Sequence, residues 1–200
     1  MPVQYPTGIK AEHAAVRETA GLFDVSHMGE FIVRGPEALG LIQRISVNDA
    51  SIIEVGQAQY SAMCLETGCV IDDLIIYRFP DRFMLVVNAS NLAKDWAWVS
   101  KHANDFEVEI TDVSDQTALL ALQGPCAREI LRPLASLNVD EVKYYRFAEG
   151  EVAGVPAVIS GTGYTGEDGF ELYIPAEKAE ELWTTLLDVG GGLGLVPAGL

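Results

Sequence analysis

No apolar run in this 200-residue sequence approaches the roughly 18–20 residues that a membrane helix needs, so no membrane partner is expected. Cationic residues are scarce as well: 13 Lys and Arg stand against 29 Asp and Glu, a formal net charge of −16. Phosphate backbones are bound by clustered Lys and Arg, which argues against nucleic acid as a partner. The acidic surface reads as a solubilising one. Cysteine is limited to Cys64, Cys69 and Cys126, an odd number that suits a reducing compartment better than a disulfide framework. Cys64 and Cys69 have no histidine or second cysteine pair near them, so no metal is expected. A signal-peptide pattern is missing too, because Met1 runs directly into Pro2-Val3-Gln4-Tyr5-Pro6. What remains is an ordinary composition, 49% hydrophobic, with enough apolar surface for one large or two small cores.

An internal repeat organises the rest. Phe31–Arg34 is a short strand that enters Gly35-Pro36 and a helix over 37–45; Leu119–Gln123 enters Gly124-Pro125 and a helix over 126–134. Proline suits a helix start, where its missing N–H leaves no bond unmade. Farther on, the strand Phe83–Val87 leads to a helix carrying 91–98, and Phe170–Ile174 leads to a helix over 176–187. The Gly-Pro turns lie 89 positions apart (35 to 124) and Trp96 and Trp183 lie 87 apart, nearly one period. Hairpin-like strands fill each unit: 58–65 and 70–79 around Glu66-Thr67-Gly68, then 143–147 and 155–160 with Gly150 and Gly154 between them. The pattern predicts an α+β fold of two related units with antiparallel sheets and flanking helices, one at 31–115 and the other at 116–200 together with the leader 1–30.

Three stretches carry chemistry. Asp72-Asp73 interrupts the apolar run Val70–Tyr77, and because side chains alternate along a strand, one carboxylate must face each side. The inward one is costly to bury without a partner; a tight loop bonding backbone N–H groups and a functional role both stay open. Gly161–Gly169 holds four glycines in nine positions, without the Lys-Ser/Thr ending of a P-loop. It reads either as a long hairpin tip or, with Tyr164 inside it, as a stacking surface for a flat heterocycle. Phe23–Gly29 contains Asp, Ser and His too close in sequence to converge as a triad, and reads as a turn with His27 partly buried.

These stretches resemble the glycine cleavage T proteins, a family of folate-dependent aminomethyltransferases. Met1–Tyr5, Phe23–Gly29, Gly68–Leu74, Val86–Ala89, Leu122–Pro125 and Thr162–Leu172 occur in the family's order and spacing across the whole chain. The resemblance implies transfer of the methylene carbon of an aminomethyl-lipoyl group, carried by the lipoylated H protein, to tetrahydrofolate. Ammonia leaves and 5,10-methylenetetrahydrofolate forms, as a step of glycine catabolism. It implies that Asp73 is the catalytic carboxylate, that Glu171 grips the pterin, and that Tyr164, Tyr145, Asn88 and Tyr60 occupy further folate-binding positions.

Cys69 departs from the family, which has glycine there. The resemblance also implies members that begin upstream of Met1 and continue past Leu200 into a further β-rich domain bearing the arginines turned toward folate, so the chain alone is expected to be inactive. A bacterial cytoplasm is the expected compartment, or a mitochondrial matrix in a eukaryote. Two neighbouring readings are a non-catalytic folate-binding protein of iron–sulfur maintenance and the folate domain of a dimethylglycine or sarcosine dehydrogenase.

Overall fold

A computed structural model describes residues 2–199. The chain forms two units, Met1–His27 with Gln116–Leu200 and Met28–Asp115. The leader supplies helix α1 (Ile9–Glu18) and strand β1 (Ala20–Asp24) to the first of these.

The unit of Met28–Asp115 runs β2 (Gly29–Arg34), α2 (Ala38–Ile45), β3 (Gln57–Cys64), β4 (Val70–Arg78), β5 (Phe83–Val87), α3 (Leu92–Ala103) and β6 (Glu109–Asp112). Its strands pair antiparallel in the order β3-β4-β5-β2-β6. The period-2 alternation turns Phe31 and Val33, Leu74 and Ile76, and Leu85 and Val87 into one core with Leu41, Ile42 and Ile45 of α2 and Val99 of α3. Each such side chain contributes about 1.5–3 kcal/mol on burial.

The other unit continues with β7 (Thr117–Gln123), α4 (Ala127–Leu131), β8 (Phe147–Val152), β9 (Val155–Ser160), β10 (Gly169–Pro175), α5 (Ala179–Gly190) and β11 (Leu195–Pro197). Its sheet has the order β11-β1-β7-β10-β9-β8, antiparallel except for the β1–β11 pair. Leu22, Leu120, Leu122, Ile159, Phe170 and Leu172 face Ile130, Leu182 and Leu186 of the helices.

The repeat is visible in the two sheets taken separately. In each, the strand that ends in Gly-Pro lies beside the last strand of the unit's three-strand run, in the orders β3-β4-β5-β2 and β8-β9-β10-β7. Gly35 has φ 123° and Gly124 has φ 131°, a region that residues with a Cβ rarely enter. A Cβ at Gly35 would stand 2.5 Å from Glu107 O, and one at Gly124 2.6 Å from Thr19 O. Both turns therefore press against the backbone that leads into a neighbouring strand, β6 or β1.

Two elements differ from the sequence expectation. The strand expected at 143–147 lies instead at Phe147–Val152, joined to β9 by Ala153-Gly154. Both turn residues are left-handed, at φ 52° and 78°, the geometry of the two-residue turns that match strand twist; of the two glycines expected in the connection, Gly150 falls within the strand and Gly154 lies in the turn. The helix expected to reach 134 ends at Leu131, because Pro133 has no N–H to offer the Glu129 carbonyl. Among the described residues no helix is long and apolar enough to cross a membrane.

Candidate functional site

In the unit of Met28–Asp115 the pair Asp72-Asp73 lies just after a β-bulge, where the β3–β4 register shifts between Met63 and Cys64. Bulges re-aim side chains and recur beside functional sites. The strand splits the pair. Asp72 pairs in register with buried Met63 and shares the core face with Leu74, at 8% exposure, whereas Asp73 is only partly buried on the opposite face. Tyr60 Oη donates to Asp73 Oδ2 at 2.7 Å. Asn88, one step past the last β4–β5 register pair, directs its Nδ2 to Asp73 Oδ1 at 2.6 Å and to Asp72 Oδ1 at 3.1 Å. Three expected residues, Asp73, Tyr60 and Asn88, thus form one hydrogen-bonded group.

The hairpin before β4 accommodates Cys69. Leu65 N–H donates to Cys69 O and Gly68 N–H to Leu65 O, and Gly68, at φ 84°, takes the left-handed position. Cys69 therefore stands where a Cβ is tolerated.

In the other unit Glu171 lies on β10, opposite Ser160 of β9, on the face away from Phe170 and Leu172. Thr162, itself buried, contacts both Ser160 Oγ at 2.9 Å and Glu171 Oε2. Its single proton goes to the carboxylate, leaving the hydroxyl oxygen to accept from Ser160. Burial pushes the Glu171 carboxyl above its usual range, and hydrogen bonds from Thr162 and Tyr173 partly oppose this. Tyr145 lies within electrostatic reach of Glu171. Burial raises its hydroxyl first, then the neighbouring Tyr144 and Glu171, and its backbone is left-handed at φ 58°. Such a conformation costs of order 1–3 kcal/mol and collects at functional sites. It is held by Tyr145 N–H donating to Gly161 O at 3.0 Å while Gly161 N–H donates to Arg146 O at 2.8 Å.

The Gly-rich loop is an anchored tip. Gln123, at the end of β7 and 1% exposed, donates from Nε2 to Thr162 O and Phe170 O and accepts from Thr165 Oγ1 at 2.8 Å. Arg17 donates to Thr165 O and Glu167, and Arg128 meets both oxygens of Asp168 at 3.2 Å. Tyr164 stands fully exposed at the tip, and the structure does not bring it onto the Glu171 group. Gln123 was not singled out from the sequence; its only signal was its place in Leu122-Gln123-Gly124-Pro125.

The Asp24–His27 stretch is a turn. Ser26 N–H donates to Asp24 Oδ1 at 3.0 Å, and Leu119 N–H donates to Ser26 Oγ at 3.1 Å, which commits the hydroxyl to stitching the turn to β7. His27 is exposed, not partly buried as expected, because it falls beyond the end of β1.

Residues 1–200 match the family described as GCVT N-terminal domain. Halalkalibacterium halodurans aminomethyltransferase is 54% identical over 202 residues, covering 100% of this chain and 55% of that protein. The crystal structure of glycine cleavage system aminomethyltransferase T from Bartonella henselae aligns with TM-score 0.90 at 38% identity, over 100% of this chain and 53% of that one. A chain of the heterotetrameric sarcosine oxidase from Corynebacterium sp. U-96 shares the fold at TM-score 0.65 and 18% identity, over 94% of this chain and 93% of that one. The chain spans about half the length of the curated relatives it matches.

Proposed function

This chain belongs to the GCVT N-terminal domain family, and from that premise we propose that it supplies the pterin-binding and catalytic carboxylates of an aminomethyltransferase. The reaction passes the methylene carbon of an aminomethyl-lipoyl group to tetrahydrofolate. The carbon gains bonds to the two folate amines and loses those to the departing ammonia and the lipoyl sulfur. The lipoyl arm belongs to the H protein of the glycine cleavage system. The bacterial relatives favour a bacterial cytoplasm as the compartment.

The observation that carries the reading is the splitting of Asp72 from Asp73. Only Asp73 is both accessible and held by two side-chain donors, Tyr60 and Asn88. A carboxylate fixed in this way stabilises positive charge developing on an attacking amine without having to reorganise. It also keeps that amine in line with the carbon.

Glu171 fits the pterin for a different reason. The pterin edge presents N–H donors, and a carboxylate only accepts. Burial disfavours the Glu171 anion, and donors from a ligand compensate that cost, so binding and ionisation reinforce each other. Tyr145 lies within electrostatic reach of this carboxylate, and exposed Tyr164 offers a ring face for stacking.

The direct test, made on the protein at the full length of its relatives, is titration of tetrahydrofolate followed by an assay of methylene transfer from aminomethyl-lipoyl H protein. Binding that is insensitive to Glu171→Gln, or transfer that is insensitive to Asp73→Asn, would remove the residue concerned from its role.

A further inference from the structure

On the far face of β4 from Asp73 lies a carboxyl pair that the proposed chemistry leaves unused. Asp95, in the first turn of α3, has no exposure, and neither of its carboxyl oxygens meets a donor group. Asp72 takes Asn88 Nδ2 on Oδ1, while its buried Oδ2 also lacks a donor. Yet the two carboxyls face each other at hydrogen-bond range. Two acceptor-only groups so placed and buried cannot both be anions; a proton on one of them makes the bond and removes the repulsion.

The surroundings decide which one carries it. At Asp72 burial pushes the carboxyl up, but hydrogen bonds from Asp95, Asn88, Asn91 and the Asp73 N–H outweigh burial and hold it below the usual range. Asp95 has no such donors. Its neighbour Lys94 is spent on Ile71 O at 2.5 Å, at the bulge. Burial and then Asp72 push Asp95 up to about 7, and Asp73 adds to this while Lys94 opposes it. A helix N-terminus ordinarily favours an anion, and here it is overridden. Elements α2 and β6 also pack against α3, but their charged groups Arg44, Glu109 and Asp112 are exposed.

We propose that Asp95 is a positioning residue for Asp73: its carboxyl proton, donated to Asp72, fixes Asp72 as the anion that Asn88 ties to Asp73. The chain of bonds is Asp95 to Asp72, Asp72 to Asn88 Nδ2, and Asn88 Nδ2 to Asp73 Oδ1 at 2.6 Å. When Asp95 loses its proton near neutrality the pair becomes two buried anions, and the bridge loosens. The role assigned to Asp73 rests on the proposed function; the proton relay itself does not.

The test has two arms. In carboxyl carbon-13 NMR of the chain, Asp95 stays protonated to about neutral pH, and the Asn88 side-chain amide resonances move with the same midpoint. Asp95→Asn, which keeps an N–H donor toward Asp72, abolishes that step. A carboxyl of Asp95 that titrates in the usual acid range, or an Asn88 amide indifferent to it, overturns the relay. In the transfer assay, Asp95→Leu lowers kcat about tenfold with little change in KM for folate, as expected of a group misaligned by a fraction of an ångström. Asp95→Asn restores the rate and keeps it above neutral pH, where the wild type declines. Equal loss in both variants, or an unchanged pH profile in Asp95→Asn, overturns the positioning role. The transfer arm is run on the protein at the full length of its relatives, of which this chain spans about half; if that wild type transfers nothing, the proposed function falls, and the NMR arm still decides the relay.

Discussion

Tyr60 sets its phenol oxygen 2.7 Å from Asp73 Oδ2, reaching diagonally from two residues before Ala62, the register partner of Asp73. Diagonal neighbours across an antiparallel pair lie within range of an aromatic side chain. The ring is more than half exposed, and the sheet register sets its hydroxyl beside the carboxylate. Tyr60→Phe should therefore leave the fold intact while freeing one oxygen of Asp73. A hydrogen bond to a charged group is worth about 1.5–3 kcal/mol, which corresponds to roughly a 10- to 100-fold loss if the bond serves the transition state. Steady-state transfer kinetics decide between that and a role in binding alone, which would raise KM and spare kcat.

Asp73→Asn is the sharper substitution. The amide keeps the size of the side chain and an oxygen acceptor for Tyr60 or Asn88, so tetrahydrofolate should bind nearly as before. The lost charge should lower transfer by about 10²-fold or more, the scale seen when one preorganised electrostatic group is removed. Turnover close to wild type would shift the role from Asp73 to another group.

What the sequence reveals depends on how local the cause is. The strands Phe31–Arg34, Phe83–Val87 and Phe170–Ile174 and the two Gly-Pro turns were legible because apolar period and backbone chemistry mark them residue by residue. Strand β6 was not, since Glu109-Ile110-Thr111-Asp112 is short and half polar and becomes a strand only by pairing with β2. Helix α1 was missed for a similar reason. One of its two buried residues is Glu12, whose carboxylate accepts from Tyr5 N–H and Gly199 N–H, at opposite ends of the chain. The site divides in the same way. Of the candidate residues, Asp73 and Glu171 are marked in the sequence by motif resemblance alone, whereas Asp95 and Gln123 look like ordinary solvated polar residues until the fold buries them against partners remote in sequence.

The Gly-Pro turns give a stability prediction. Gly124→Ala forces a Cβ onto φ 131° and to within 2.6 Å of the Thr19 carbonyl, which belongs to the backbone and cannot swing away. Strain and clash together should cost roughly 2–4 kcal/mol. Gly191→Ala is the control, because a Cβ there meets nothing within 4 Å and φ is −57°. Urea unfolding of both variants should separate them by most of that difference; equal midpoints would mean that the turn relaxes freely.

Glu30 predicts how stability depends on pH. It is 1% exposed on β2, neither carboxyl oxygen has a donor, and burial, followed by the charge of Asp112, raises it from 4.5 to about 8. The folded chain therefore holds a proton on Glu30 that the unfolded chain has already released between those values. Stability from this group is complete below about pH 4.5 and is lost as pH rises toward 8. The shift sets an upper limit of roughly 4–5 kcal/mol on the loss. Asp95, raised to about 7, contributes with the same sign over a lower window, so the wild type alone cannot apportion the effect. Glu30→Gln can, because the amide is neutral at both ends of the range. Urea unfolding at pH 5 and pH 8 should show the variant losing several kcal/mol less than the wild type between the two conditions, whatever its absolute stability. Parallel losses in the two proteins would mean that the buried carboxyl finds a donor or water when it ionises, and that burial at this position is less costly than the geometry of β2 implies.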